Sequence, residues 1–212
     1  DVKRAYFFAK AKREVYVDLI GEDATAGMCG RLLQSMYGTR DAAQNWEEEY
    51  SGFIVGLGFR KGKASPCVFY HKDRNVRVVV HGDDFTVLGH VKQLNWFREE
   101  IAKKYEVKFR GRLGPNDGNC KSIRILNRVV TWGSSGIVYE ADQRHAEIII
   151  VGLGVKGKRS VVTPGVKSEN QKEEEHDDPR LDPSKATEYR GMVARGNYLS
   201  ADRLDIKYAV KE

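Results

Sequence analysis

The sequence predicts an α+β fold, a ferredoxin-like split βαβ sheet with its helices on one face. Three observations carry this. The first half of the chain runs strand, helix, hairpin, helix, strand. The hairpin is marked by two apolar runs, Val76-Arg77-Val78-Val79-Val80 and Phe85-Thr86-Val87-Leu88, flanking Gly82-Asp83-Asp84. Both helices repeat apolar residues at helical spacing.

The 212 residues suffice for one large domain or two small ones, and 41% hydrophobic with 31% charged residues is a globular balance, not a disordered one. No run approaches the roughly 18 apolar residues of a membrane span. The opening Asp1-Val2-Lys3-Arg4 is no signal peptide, and without an initial Met the true start is expected upstream or removed. Cys29, Cys67 and Cys120 lie far apart, which argues against a disulfide scaffold or zinc site and fits a reducing compartment. A net charge of +6 favours a polyanionic partner without demanding one.

Taken in order, residues 1–8 read as an aromatic strand entering the core, followed by short extended segments at 14–18 and 30–33. A helix is predicted over 41–57, with Asp41 as its cap, Ala42, Trp46, Tyr50, Phe53, Ile54 and Leu57 on its apolar stripe, and Gly56 and Gly58 closing it. Strands at 67–71 and 76–81 flank a polar turn. A tight break at Gly82-Asp83-Asp84 leads into 85–88. A second helix over 91–105 carries Val91, Leu94, Phe97, Ile101 and Tyr105, and 106–109 is extended.

Beyond Gly111 the character changes. A Gly/Pro/Asn loop at 114–119 precedes short strands at 123–126, 129–132 and 136–139. Asp142 caps a helix reaching Val151, which Gly152 ends. Residues 167–183 form a charged linker, and its acidic run Glu173-Glu174-Glu175-His176-Asp177-Asp178 reads as a solvated segment, not a metal site. Helices from 183 to 199 and from 205 onward finish the chain. Gly152-Leu153-Gly154-Val155-Lys156-Gly157-Lys158 matches G-x-G-x-x-G, yet Arg159 stands where a P-loop needs Ser or Thr. An extended, proline-stopped segment follows instead of a helix, so a helix end with a basic loop accounts for it.

The strongest candidate for chemistry is Gly82-Asp83-Asp84. As a plain turn it gains little from adjacent carboxylates, which at 4 Å repel by about 1 kcal/mol in water and about 4 at an effective dielectric near 20. A divalent cation turns that repulsion into binding. Side chains alternate along a strand, so one of the pair, Asp83, is expected to face a metal while Asp84 supports it. In a split βαβ sheet the first strand lies beside the central hairpin, which brings Asp1 near Asp83.

The ordered set of motifs resembles the reverse transcriptase of copia-type LTR retrotransposons, with its polymerase palm. Asp1-Val2-Lys3-Arg4-Ala5-Tyr6 is similar to that family's first catalytic block, with Asp1 as its metal-binding Asp and Tyr6 as the aromatic that blocks a ribose 2′-OH. On a straight strand that gap puts Tyr6 on the opposite face, so the chain is expected to turn after Asp1. Glu14-Val15-Tyr16-Val17 resembles the next short block. Met36-Tyr37-Gly38-Thr39-Arg40-Asp41-Ala42-Ala43-Gln44-Asn45-Trp46 resembles Leu-Tyr-Gly-Leu-Lys-Gln-Ala-Pro-Arg-Ala-Trp, with Asp41 in place of Gln and Arg40 in place of Lys. His81-Gly82-Asp83-Asp84 stands where Tyr-Val-Asp-Asp is usual. Val162-Thr163-Pro164 is similar to a later Ser-Thr-Pro, and residues 186–210 resemble the family's closing segment.

The resemblance implies template-directed DNA synthesis. Asp1, Asp83 and Asp84, with the Val2 carbonyl, would hold two Mg2+ ions, with Mn2+ as the alternative; Tyr6, Arg40 and Asp41 would handle the deoxynucleoside triphosphate. Lys103, Lys104, Lys108, Arg110 and Arg112 would track the phosphates of an RNA or DNA template with its primer; the same patch also reads as an ordinary solvated edge. The implied divisions are a palm over 1–112, a primer-supporting hairpin and thumb over 113–166, the linker over 167–183, and helices over 184–212 leading towards an RNase H region. The family's fingers region would precede Asp1, so the chain alone is expected to polymerise poorly. Its setting would be intracellular, a cytoplasmic virus-like particle with a nuclear destination for the product, and no membrane. The alternatives are a non-catalytic nucleic-acid-binding remnant and a ferredoxin-like interaction domain whose Gly82-Asp83-Asp84 is only a turn.

Overall fold

A computed structural model describes residues 1–159, 161 and 180–211. Val162-Thr163-Pro164 and the acidic run at 173–178 lie outside the described residues, as does almost all of the expected linker. The chain divides into two compact units, Asp1–Arg110 and Gly111–Glu212, and each mixes helix with antiparallel strand.

In the first unit, β1 (Tyr16–Asp18) and β2 (Cys29–Arg31) form a small hairpin. Helix α1 (Ala42–Gly56) follows, and then β3 (Arg60–Lys61), β4 (Val68–His71), β5 (Val76–His81) and β6 (Asp84–Leu88) pair antiparallel in that order. Helix α2 (Val91–Lys104) closes the run. Strand β5 shows why the sheet has one buried face. Val76, Val78 and Val80 are buried while Arg77, Val79 and His81 alternate outward. Trp46, Tyr50 and Ile54 from α1 and Phe97 and Ile101 from α2 pack on the same core. Tyr105, just past α2, gathers the rings of Phe8, Trp46 and Phe53 edge-on, each with centroids 5.2 Å away.

Two expectations need correction. Residues 1–8 do not form one strand: Val2 makes a single antiparallel bridge to Val107, Arg4 turns left-handed with φ 54°, and Ala5–Phe8 coil into a 3-10 helix. The physical reason is burial, because Val2, Ala5 and Ala9 are all within 1% of full burial and a straight strand cannot turn residues at those spacings to one core. Asp41 does not cap α1, since no backbone amide of the first turn bonds to its side chain. Its backbone is already in the helical region, and the carboxylate takes the Asn45 side-chain amide and the Arg13 guanidinium instead. At the other end Gly58 adopts φ +95°, the left-handed stop the sequence predicts.

In the second unit, β7 (Ser122–Ile125), β8 (Arg128–Gly133) and β9 (Gly136–Glu140) form a three-stranded meander. Leu126 and Asn127 make its first turn with φ 48° and 65°, the left-handed pair of a I′ turn, in which Leu is an unusual occupant. Helix α3 (Gln143–Gly152) starts where Asp142 accepts the Arg144 amide at 3.0 Å. Gly154 and Gly157 follow α3 with φ 62° and 77°, so these glycines lie in turns after a helix and do not start one. Helix α4 (Pro183–Ser200) packs on α3 through His145 and Tyr198, and the short α5 (Lys207–Lys211) ends the unit. Asp202 joins sheet to helices by accepting from Arg128 Nε and the Tyr139 hydroxyl, both at 2.8 Å. Among the described residues no helix is long and apolar enough to cross a membrane.

The buried rings make the first unit sensitive to alkali. Burial, with the Glu47 and Cys67 charges, pushes the Tyr50 phenol from 10.0 up to about 12, and burial beside Glu49 pushes Tyr105 up as well. A raised folded pKa contributes stability that is complete below the unfolded value and is lost as pH climbs through the folded one. Urea midpoints followed by circular dichroism should hold steady to pH 10 and fall between 10 and 12. Tyr50→Phe should flatten that fall; an unchanged slope would remove Tyr50 as its cause.

Candidate active site

The turn between β5 and β6 is a two-residue loop, because His81 pairs directly with Asp84. Gly82 supplies φ +61° and Asp83 does not share the positive range, the φ pattern of a II′ turn. An added Cβ at Gly82 would meet nothing within 4 Å, so the glycine is required for its dihedral and not for space. The turn is fixed from two sides. Trp46 Nε1 donates to the Gly82 carbonyl at 2.8 Å, and the Val2 amide donates to the Asp83 carbonyl at 2.9 Å. Beyond Val2 the ladder continues, with the Lys108 amide bonding to Asp1 O and the Lys3 amide to Glu106 O, each at 2.8 Å. Asp1 thereby sits between the hairpin turn and the segment after α2.

Two carboxylates converge on one cation there. Arg110 Nη2 donates to Asp1 Oδ2 at 2.7 Å and stands 3.6 Å from Asp84 Oδ1. Asp83 contributes its main chain to the seam, and its charge acts at longer range. The Asp1 amino group is held below its ordinary pKa by burial first, with Arg110 adding to the effect while Asp84 and Asp83 oppose it. All four charged groups therefore share one small region. Among the described residues no group of three or more His, Cys, Asp or Glu side chains is gathered closely enough to hold a metal ion alone. Mg2+ rarely uses such a cage, and binds through one or two carboxylates plus substrate phosphates. The donors here are all oxygen, and the guanidinium between them stands in for a cation. The set fits a divalent ion on that footing.

The other expected residues divide. Tyr6 is half-buried and stacks on Tyr37 with centroids 4.2 Å apart. Arg40 is exposed, and Asp41 is held by Arg13 at 3.3 Å and Asn45 at 3.2 Å. Lys103 pairs with Glu100 at 2.8 Å and Lys104 with Glu49 at 2.6 Å, while Lys108 is exposed. Arg112 belongs to the second unit. Sequence reasoning missed three roles: Arg110 as partner of the carboxylates, Trp46 as the clamp on the turn, and Tyr37 as the stacking partner of Tyr6. Only Trp46 and Tyr37 carried a signal, since both lie in the block read as a motif.

A hairpin carrying paired Asp residues is thus hydrogen-bonded to a short segment that begins with a third. Residues 1–116, more than half of the chain, match the family model of the reverse transcriptase (RNA-dependent DNA polymerase), and the chain belongs to that family. Its relatives are copia-type Pol polyproteins. It is 23% identical over 172 residues to the retrovirus-related Pol polyprotein from transposon TNT 1-94 of Nicotiana tabacum, covering 77% of this chain and 12% of that protein. It is 24% identical over 218 residues to the transposon RE2 polyprotein of Arabidopsis thaliana, covering 99% and 14%. It is 28% identical over 112 residues to the Ty1-GR3 Gag-Pol polyprotein of Saccharomyces cerevisiae, covering 51% and 6%. The chain thus spans a small part of each relative's length. No solved structure matches it.

Trp46 is the side chain that ties core to turn, so its substitution tests the seam. Trp46→Ala should cost about 3–5 kcal/mol in urea unfolding, as large aromatic truncations do. Trp46→Phe keeps most of the packing but leaves the Gly82 carbonyl without its indole donor, and should cost about 1–2 kcal/mol. A Trp46→Phe variant as stable as wild type would show that the hydrogen bond contributes nothing.

Proposed function

We propose that the chain carries the palm and thumb of a copia-type reverse transcriptase, and that its carboxylate site performs nucleotidyl transfer onto a primer. The palm would occupy residues 1–112, the primer-supporting hairpin and thumb 113–166, and the closing helices 184–212. The observation that carries the reading is the convergence of Asp1 and Asp84 on one cation beside the Asp83 main chain. The hydrogen bonds support it as well: the 1–3 segment bonds to the 106–108 segment on one side and to the Asp83 carbonyl, in the turn before β6, on the other, as a split βαβ order would require.

In this reading Asp1, Asp83 and Asp84, with the Val2 carbonyl, would hold divalent ions, Mg2+ or Mn2+. Such ions neutralise a triphosphate and raise the nucleophilicity of a primer hydroxyl. The protein's own part is placement. The Trp46 and Val2 bonds fix the turn, so both carboxylates are presented without reorganisation. Tyr6, buttressed by Tyr37, would turn an aromatic face to the sugar of a deoxynucleoside triphosphate, and the exposed Arg40 would meet its phosphates. Lys103, Lys104, Lys108, Arg110 and Arg112 would meet the backbone of an RNA or DNA template with its primer. The setting would be a cytoplasmic virus-like particle.

One observation favours a second reading, a nucleic-acid-binding remnant without catalysis: the guanidinium already fills the space between the carboxylates. The two readings separate in primer extension by this chain joined to a fingers segment from a copia-type relative, with duplex binding measured in parallel. Under the polymerase reading, Asp1→Asn should lower Mg2+-dependent synthesis on the order of 10³-fold, equivalent to roughly 4 kcal/mol of transition-state stabilisation, while binding persists. Asp83→Asn and Asp84→Asn, made separately, report which of the pair matters more. Duplex binding without synthesis in any version supports the remnant.

A further inference from the structure

We infer that Arg110 is a displaceable counter-ion of the carboxylate pair, one that an incoming divalent cation must evict, so that it sets the metal concentration at which the site loads. The inference rests on the carboxylate site proposed above and adds a residue whose sequence context pointed only to nucleic acid.

The geometry leaves room for one cation. A single guanidinium nitrogen lies 2.7 Å from Asp1 Oδ2 and 3.6 Å from Asp84 Oδ1. A metal ion sharing those oxygens would sit within a few ångströms of that positive charge, so the two cations exclude one another. The partners are unequally fixed. The Asp1 side chain is only 20% exposed and its main chain is bonded in the ladder, whereas Arg110 is 58% exposed and lies at the end of the first unit's last segment. Arg110 is therefore the member that can leave. Ion pairs of that exposure are worth little, so eviction is cheap enough to be reversible yet large enough to shift metal affinity. Without the guanidinium, Asp1 and Asp84 would lose the cation that they share, and the metal-free protein would lose stability.

The test needs no catalysis. Mn2+ binding to the 212-residue chain is followed by electron paramagnetic resonance for wild type, Arg110→Gln and Arg110→Lys, with melting temperatures in EDTA and in Mn2+. Arg110→Gln should bind Mn2+ about fivefold more tightly than wild type. It should also melt lower in EDTA and recover most of that loss in Mn2+. Arg110→Lys keeps the charge and should stay near wild type, which separates competition from a general effect of substitution. Equal Mn2+ affinity in wild type and Arg110→Gln, with both folded by circular dichroism, would overturn the inference while leaving the carboxylate site intact as a metal site. Absence of Mn2+ binding in all three proteins would overturn both.

Discussion

The site depends on a seam of backbone hydrogen bonds that is only a few residues long. The Val2 amide reaches the Asp83 carbonyl, and the Lys3 and Lys108 amides close the other side against Glu106 and Asp1. Three segments distant in sequence meet there, yet among the described residues the first segment, 1–3, makes a single bridge, between Val2 and Val107. So short a pairing has little cooperative strength of its own. Its position is set by the side chains on either side of it, because Val2 and Ala5 are fully buried and Trp46 binds the turn from within the core. The distance between Asp1 and Asp84 is therefore a property of core packing, and the charged groups inherit their geometry from apolar ones.

That inheritance explains how like charges can be kept together. Three aspartates near one another would spread apart if they sat on mobile loops, since their repulsion rises as water is excluded. A two-residue turn and a hydrogen-bonded segment hold them in place. The fold answers the repulsion with Arg110, and elsewhere with pairs such as Lys104 with Glu49 and Lys3 with Glu106. Lys103 and Lys104 at the end of α2 and Arg110 beyond it are engaged by local carboxylates, in pairs each worth about 0–1 kcal/mol, which a phosphate could exchange at small cost.

Elements with a strong period were legible. The helices α1, α2 and α3 and the strands β5 to β9 fall within a residue or two of the segments read from apolar spacing, since burial of one face leaves the pattern in the sequence. The opening segment reads as a strand that turns after Asp1; the turn is there, at the left-handed Arg4, but the 3-10 helix beyond it is not foreseen, because the aromatic run suggests extended chain. The paired aspartates and the turn were visible from residue type alone. Arg110 was not, because its partner lies 109 residues away and only the tertiary seam makes them neighbours.

Asp41 shows how a departure from a family motif can be absorbed locally. The resemblance places an amide there, and a carboxylate would add negative charge where a triphosphate is expected. In the fold that charge is not left open. Burial works against ionisation of Asp41, but the Asn45 hydrogen bond, its own backbone and Arg13 outweigh it and hold the carboxyl below its ordinary pKa. Asn45 Nδ2 also donates to Ser35 Oγ at 3.0 Å, and the Ser35 amide is bonded to Ala9 O at 2.8 Å. The carboxylate is thus one end of a chain of contacts that anchors the start of α1 to the segment following Tyr6. A residue that looks like a lost ligand in the sequence is, in three dimensions, an ionised structural acceptor with its own counter-ion. The cost of the substitution then falls on hydrogen-bond donation at that position, which the amide could supply and Asp41 cannot, and not on electrostatic repulsion.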